Sequence, residues 1–208
     1  MRTVSRPESD GAMGNRVRIL EQTVLADDWA VLSKYRIALR RRDGTEQELI
    51  RQAYDRGNGA VILPYEPDRR CVLLTRQFRM PAYLNGCDGE LVEAAAGLLD
   101  EADPETRIRE EAEEELGLRL RDVRRILDVF MSPGSVTERL VFFVARYSAE
   151  DRVSAGGGLA DEGEDIEVLE LALDEALDWI ADGRIRDAKT IILLQYVALQ
   201  LFADAHPA

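Results

Sequence analysis

The sequence predicts an α+β fold: a mixed β-sheet with one helix inserted midway, two helices at the end and a small antiparallel β extension in front. Three observations carry this. Apolar segments of strand character recur between turn signals from residue 17 to residue 172. One Glu-rich helical stretch, closed by a glycine, interrupts them near residue 110. Beyond residue 172 the apolar spacing becomes helical and stays so.

Residues 1–14 have no apolar core and read as a disordered leader without a signal peptide. Residues 17–26 and 29–42 read as strands, Asp43-Gly44 as a hairpin turn and residues 46–54 as the returning strand. Three strands make a sheet too meagre to stand alone. Residues 15–55 are therefore expected as an N-terminal β subdomain and residues 56–205 as the main domain. Gly57-Asn58-Gly59 punctuates the chain, residues 60–65 read as a buried strand, and Pro67-Asp68 turns it into residues 71–78. Residues 90–96 read as a single short strand running into Gly97. A helix is expected over 106–116, with Pro104 near its start, acids in its first half and Gly117 at its end. Strands over 124–131 and 139–147 follow. Ala155-Gly156-Gly157-Gly158 opens an acid-rich loop, and a strand over 166–172 and helices over 173–182 and 189–203 complete the chain.

Composition removes several functions. The chain has 208 residues, 46% of them hydrophobic, and 27 basic against 40 acidic side chains give a formal charge of -13. That excess opposes nucleic acid and anionic lipid surfaces and suits a protein that collects divalent cations. No apolar stretch approaches the roughly 20 residues of a membrane span. Cys71 and Cys87 are too few for a disulfide framework and fit a reducing cytoplasm. The single histidine, His206, stands in the C-terminal tail, which argues against a catalytic dyad or a His-based metal site. Hydrolytic chemistry here must be run by carboxylates, a metal or both.

The densest signal spans residues 97–118. On a helix, Glu111 and Glu115 face the same way with Glu114 beside them. Like charges at that spacing repel unless a cation sits between them, and converging carboxylates suit Mg2+ or Mn2+. A solvated Glu-rich surface helix is the bland alternative. The flanking glycines and strands decide between them. Gly97, Glu111, Glu114, Glu115 and Gly117, with Ala112 and Leu118 in the aliphatic places, resemble the Nudix box. Asp103 stands where the first Glu belongs, one residue is missing before the helix, and Glu110 replaces the usual Arg. The resemblance extends over about residues 17–201. It includes Tyr54 to Ala60, Arg76-Gln77-Phe78-Arg79, Ala96 to Asp100, Met131 to Gly134 with Val136-Thr137-Glu138, the triple glycine, Ile166 to Leu171, and Ile185-Arg186-Asp187 with Lys189-Thr190. These runs are similar to the branch of the superfamily formed by bacterial GDP-mannose pyrophosphatases, whose box is shortened in the same way.

The resemblance implies a Nudix fold, in which helices sandwich the mixed sheet. It implies metal held by the carbonyl of Ala96 and by Glu111 and Glu115, with Glu114, the remaining box acid, a ligand directly or through water, and Glu164 a further ligand. A further acid is implied in the loop after the triple glycine; Glu164 aligns best, with Asp161, Glu162 and Asp165 open because this loop is longer than the family's. Glu111, Glu114, Glu115 and Glu164 are candidates for the general base, and Glu164 is favoured. Substrate contacts fall on Arg79, Ala96, Gly97, Glu138 and Lys189. Trp29 stands where an aromatic residue stacks on the base, although a core tryptophan is an equal reading. Arg51 lies in a strand that reaches the partner subunit's site in a homodimer. The implied reaction is Mg2+-dependent hydrolysis of GDP-mannose, a nucleotide sugar, to GMP and mannose 1-phosphate, with Mn2+ able to substitute. ADP-ribose is the rival substrate. A non-catalytic Nudix-fold binding module is a second rival, motivated by Asp103 and Glu110, since the missing Arg normally braces the metal-binding glutamates; Arg107 or Arg109 stands close enough in sequence to replace it. An acidic structural protein would leave the glycine and RQFR spacings unexplained.

Other features read as architecture. Cys71 heads an apolar strand and is expected in the core, and Cys87 in a loop. Trp179 and the Leu193-Leu194 and 199–202 stripes read as packing or subunit interface, and Arg40-Arg41-Arg42 as a solvated turn.

Overall fold

Two units divide the chain between Arg56 and Gly57. The computed structural model describes residues 16–202; the expected leader, residues 1–14, and His206 lie outside the described residues. In the N-terminal unit, β1 (Val17–Asp27), β2 (Val31–Arg40) and β3 (Glu46–Asp55) form an antiparallel sheet in chain order. The β2–β3 hairpin closes as its sequence requires. Asp43 Oδ1 accepts hydrogen bonds from the Thr45 amide at 3.0 Å and the Thr45 hydroxyl at 2.6 Å, while Gly44 takes φ 88°. Arg40 ends β2, and Arg41 and Arg42 are exposed in the turn, as expected. Trp29 is neither in a strand nor in a core. It lies in the β1–β2 turn, 67% exposed, with the Arg56 guanidinium 5.7 Å from its ring centroid.

The second unit is built on the sheet β10-β5-β4-β9-β8, comprising β4 (Gly59–Glu66), β5 (Cys71–Phe78), β8 (Val123–Phe130), β9 (Arg139–Arg146) and β10 (Glu167–Ala172). Strand β4 runs parallel to β9 and is buried on both faces, which is why its sequence shows a continuous apolar run and no alternation. Ala60 and Ile62 join one core with Ile108, Ala112 and Leu116; Val61 and Leu63 join the other with Phe142, Leu193 and Leu194. Each such large apolar side chain contributes about 1.5–3 kcal/mol by leaving water. The first core seats helix α2 (Pro104–Leu116), and the second seats α3 (Leu173–Ala181) and α4 (Ala188–Tyr196).

Several boundaries differ from expectation. Residues 90–96 do not form one strand: β6 (Glu90–Glu93) pairs with β5, and β7 (Ala95–Leu98) pairs with β4. Beyond their hairpin β4 and β5 pair only at Tyr65 and Glu66, so they diverge and the two short strands attach one to each. Ala94, at the break, donates its amide to Thr190 Oγ1 at 2.7 Å. The short helix α1 (Met80–Leu84) was not expected; it buries no side chain and so leaves no apolar periodicity to read. The final helix is regular to Tyr196 and continues as a π turn over Val197–Leu201. Cys71 is half-buried, not core, with its thiol donating to the Arg69 carbonyl at 3.4 Å. Trp179 packs against the second core, and the Arg184 guanidinium lies 4.4 Å from its ring centroid.

Candidate active site

Helix α2 carries the central carboxylates, and its ends explain why it starts and stops where it does. Asp103 is the N-cap: its Oδ2 accepts from the amides of Glu105 and Thr106, each at 3.1 Å. The acid that departs from the box thus serves the helix. Gly117 closes it at φ 69°, where a Cβ would come within 2.3 Å of the Ser154 carbonyl oxygen. The triple-glycine segment docks on that end. Gly157 donates its amide to the Glu115 carbonyl at 2.9 Å and Gly158 to the Glu114 carbonyl at 3.1 Å. A Cβ on Gly156 would lie 2.4 Å from the Glu115 oxygen, so this approach needs glycine. The loop that follows brings Glu164 back, its Oε2 accepting from the Leu159 amide at 2.9 Å. Asp161 and Asp165 point to solvent.

Glu111 and Glu115 are 5% and 2% exposed. Glu111 lies directly over Gly97, where an added Cβ would sit 1.7 Å from its Oε1. Glu115 Oε2 accepts from the Ala96 amide at 3.3 Å. Burial first, and then the charges of Glu111 and Glu164, push the Glu115 carboxyl up to about 8, against the pull of Arg79 and of the Ala96 amide. Ala96, Gly97, Glu111, Glu115, Glu164 and Arg79 are thus brought together. Glu114 is half-buried beside them.

The brace missing at Glu110 is supplied from one turn earlier. Arg107 reaches Glu111 Oε1 at 2.5 Å through Nη2, and Glu110 at 3.3 Å and Glu114 at 3.8 Å through Nη1. Arg109 points elsewhere, to Glu105 at 2.7 Å and to the Leu120 carbonyl. Between Arg79 and Lys189 sits a residue that sequence reasoning passed over. Glu93, 3% exposed, accepts from Arg79 Nε at 2.7 Å and from Lys189 Nζ at 2.7 Å. Its one signal is that it is the lone charge in Leu91-Val92-Glu93-Ala94-Ala95-Ala96.

Glu138 lies in the β8–β9 connection with its Oε1 shielded from solvent. Trp29 and Arg51 belong to the N-terminal unit, where Arg51, on β3, donates to the Ile50 carbonyl at 2.8 Å and lines a cleft with Arg16, Arg41 and Arg42.

The donor set fits a hard divalent cation: Glu111 and Glu115 are buried against backbone, and burial followed by the neighbouring acids raises the Glu115 carboxyl. Among the described residues no three acidic, histidine or cysteine side chains are already grouped to hold an ion. An ion here would therefore draw further ligands from backbone oxygen and water, as Mg2+ commonly does.

Residues 55–194 match the NUDIX domain family, and residues 16–54 match the family described as the GDP-mannose pyrophosphatase NudK N-terminal domain. The chain is 49% identical to the GDP-mannose pyrophosphatase of Pectobacterium atrosepticum, covering 90% of this chain and 97% of the relative. Against the protein of that name from Klebsiella pneumoniae it is 46% identical over 89% and 93%, and against that of Escherichia coli O157:H7 44% over 92% and 100%. Among solved structures, that of an ADP compounds hydrolase superposes with a TM-score of 0.69 at 17% identity, over 91% of this chain and 96% of the other, a likeness of fold.

Proposed function

The chain belongs to the Nudix family, and we propose that it hydrolyses GDP-mannose to GMP and mannose 1-phosphate with Mg2+, for which Mn2+ can substitute. One observation carries this reading: Glu111 and Glu115 are buried together against Ala96 and Gly97, in a chain 44–49% identical to enzymes bearing that name. Nudix hydrolases in general need divalent cations.

When bound, the ion supplies charge neutralisation on the diphosphate and a lower pKa for the attacking water. Glu111 and Glu115 hold it with the Ala96 carbonyl, and Glu114 adds charge at the rim. Arg107 keeps Glu111 in place. Glu164 takes the proton as the water oxygen attacks a phosphorus and the bond to the bridging oxygen breaks. Two features support Glu164 over its neighbours: its carboxylate is tied to the Leu159 amide, and its charge is felt at Glu115. Gly97 meets the substrate beside Glu111, for whose side chain it leaves room, Arg79 contacts the diphosphate, and Lys189 and Glu138 contact the sugar nucleotide. Trp29 stacks on the base.

We propose further that the protein is a homodimer in which residues 15–55 cross to the partner and present Arg51 there. Ile19, Val24, Leu25 and Ile50 are 45–62% exposed on a three-stranded sheet, and a second copy would cover them. A monomer by light scattering at micromolar concentration would contradict this. The free cysteines suit a reducing cytoplasm; among the described residues, no helix is long and apolar enough to cross a membrane. Chromatography of the products tests the reaction: GMP with mannose 1-phosphate supports it, and GDP with free mannose contradicts it.

A further inference from the structure

We infer that Glu93 is a positioning residue of this active site, holding Arg79 and Lys189 in the poses from which they meet the substrate. The inference rests on the reaction proposed above. Glu93 ends β6, three residues before Ala96, with its carboxylate almost wholly out of water. Each oxygen serves one cation: Oε2 accepts from Arg79 Nε and Oε1 from Lys189 Nζ. Lys189 also meets Asp187 Oδ1 at 3.0 Å, so the four charges balance. A buried carboxylate between two cations is costly to desolvate, and specificity of geometry is what such an arrangement provides.

The bonding leaves the working ends of both cations available. Arg79 commits Nε to Glu93, and its Nη groups carry four of the five guanidinium donors. Lys189 commits two of its three donors. Docking of α4 on the strand does not require Glu93. The Ala94 amide already bonds Thr190 Oγ1, which in turn donates to Asp187 Oδ2 at 2.6 Å. Glu93 instead fixes two long side chains that would otherwise sample many rotamers, so that less order is lost when a diphosphate arrives.

Glu93→Gln in the full chain tests this, read by KM and kcat for GDP-mannose, the dissociation constant of GDP, and that of Mn2+. We expect KM and the GDP constant to rise about tenfold or more, the size of a lost charge-assisted hydrogen bond. With binding alone affected, kcat stays within about threefold and Mn2+ affinity within about twofold of wild type. In an Arg79→Met background the loss shrinks, since the effect acts through Arg79. Should Glu93→Gln fail to fold, Glu93→Asp carries the test, with KM again expected to rise. Unchanged KM and GDP affinity overturn the inference, as does a parallel loss of Mn2+ affinity, which would mark Glu93 as a support for the whole strand. A wild-type protein that binds GDP without cleaving GDP-mannose would defeat the proposed reaction, leaving the GDP shift to judge Glu93; one that does neither defeats both.

Discussion

Replacing Glu115 with Gln should stabilise the metal-free protein in alkaline solution while abolishing turnover. Burial, together with Glu111 and Glu164, raises this carboxyl from an ordinary 4.5 to about 8. Between those values the unfolded chain has released the proton and the folded chain retains it. Stability therefore falls as pH rises through that window, and above about 8 the full cost remains. At about 1.4 kcal/mol per pH unit the cost reaches as much as about 5 kcal/mol. Gln does not ionise and escapes it. Denaturant titrations in EDTA from pH 6 to 9 should show wild type losing ground to the variant up to about pH 8 and holding level beyond it. Added Mg2+ should restore wild type, because an ion bound only by the folded state stabilises it by mass action. The variant should gain little from Mg2+, and its kcat should fall by orders of magnitude. A stability difference that does not change with pH, or near-full turnover, would refute the reasoning.

The other substitutions probe the same site from its edges. Arg107→Ala should weaken Mn2+ binding about 10- to 100-fold, as loss of a group that orients a ligand commonly does, while Arg109→Ala should leave it near wild type. Equal effects in a Mn2+ titration would show that Arg107 is not the brace. Gly97→Ala drives a methyl into Glu111 and should lower kcat about 100-fold, the scale of an ångström misplacement; steady-state rates at saturating metal check this. Asp103→Ala should lower stability by about 1 kcal/mol through loss of the N-cap. Its turnover at moderate temperature should persist, and a large loss would give Asp103 a role in catalysis.

Helix α2 was legible because its controls are local: a proline, a closing glycine and acids four residues apart, although Asp103 reads in the sequence as a box position and not as the cap. Strand β4 was legible as a buried run for similar reasons. The break between β6 and β7 was not, because it depends on β4 and β5 diverging, a relation between segments distant in sequence. Glu93 was missed on the same grounds: its partners lie 14 and 96 residues away, and a lone acid in a strand looks like an edge. The choice between Arg107 and Arg109 did have a local signal. Arg107 stands four residues before Glu111, whereas Arg109 stands four after Glu105, so helical spacing alone pairs each with the partner it has. Trp29 could not be assigned from sequence, since exposure in a turn leaves no periodic trace.

The most direct test of the account is turnover across GDP-mannose, ADP-ribose, other nucleotide sugars and dinucleotide polyphosphates, each with Mg2+, with Mn2+ and with EDTA. Preferential release of GMP and mannose 1-phosphate from GDP-mannose is expected, supported by either ion and abolished by EDTA. Preference for ADP-ribose would contradict the substrate, and silence across the panel with nucleotide still bound would contradict the enzyme.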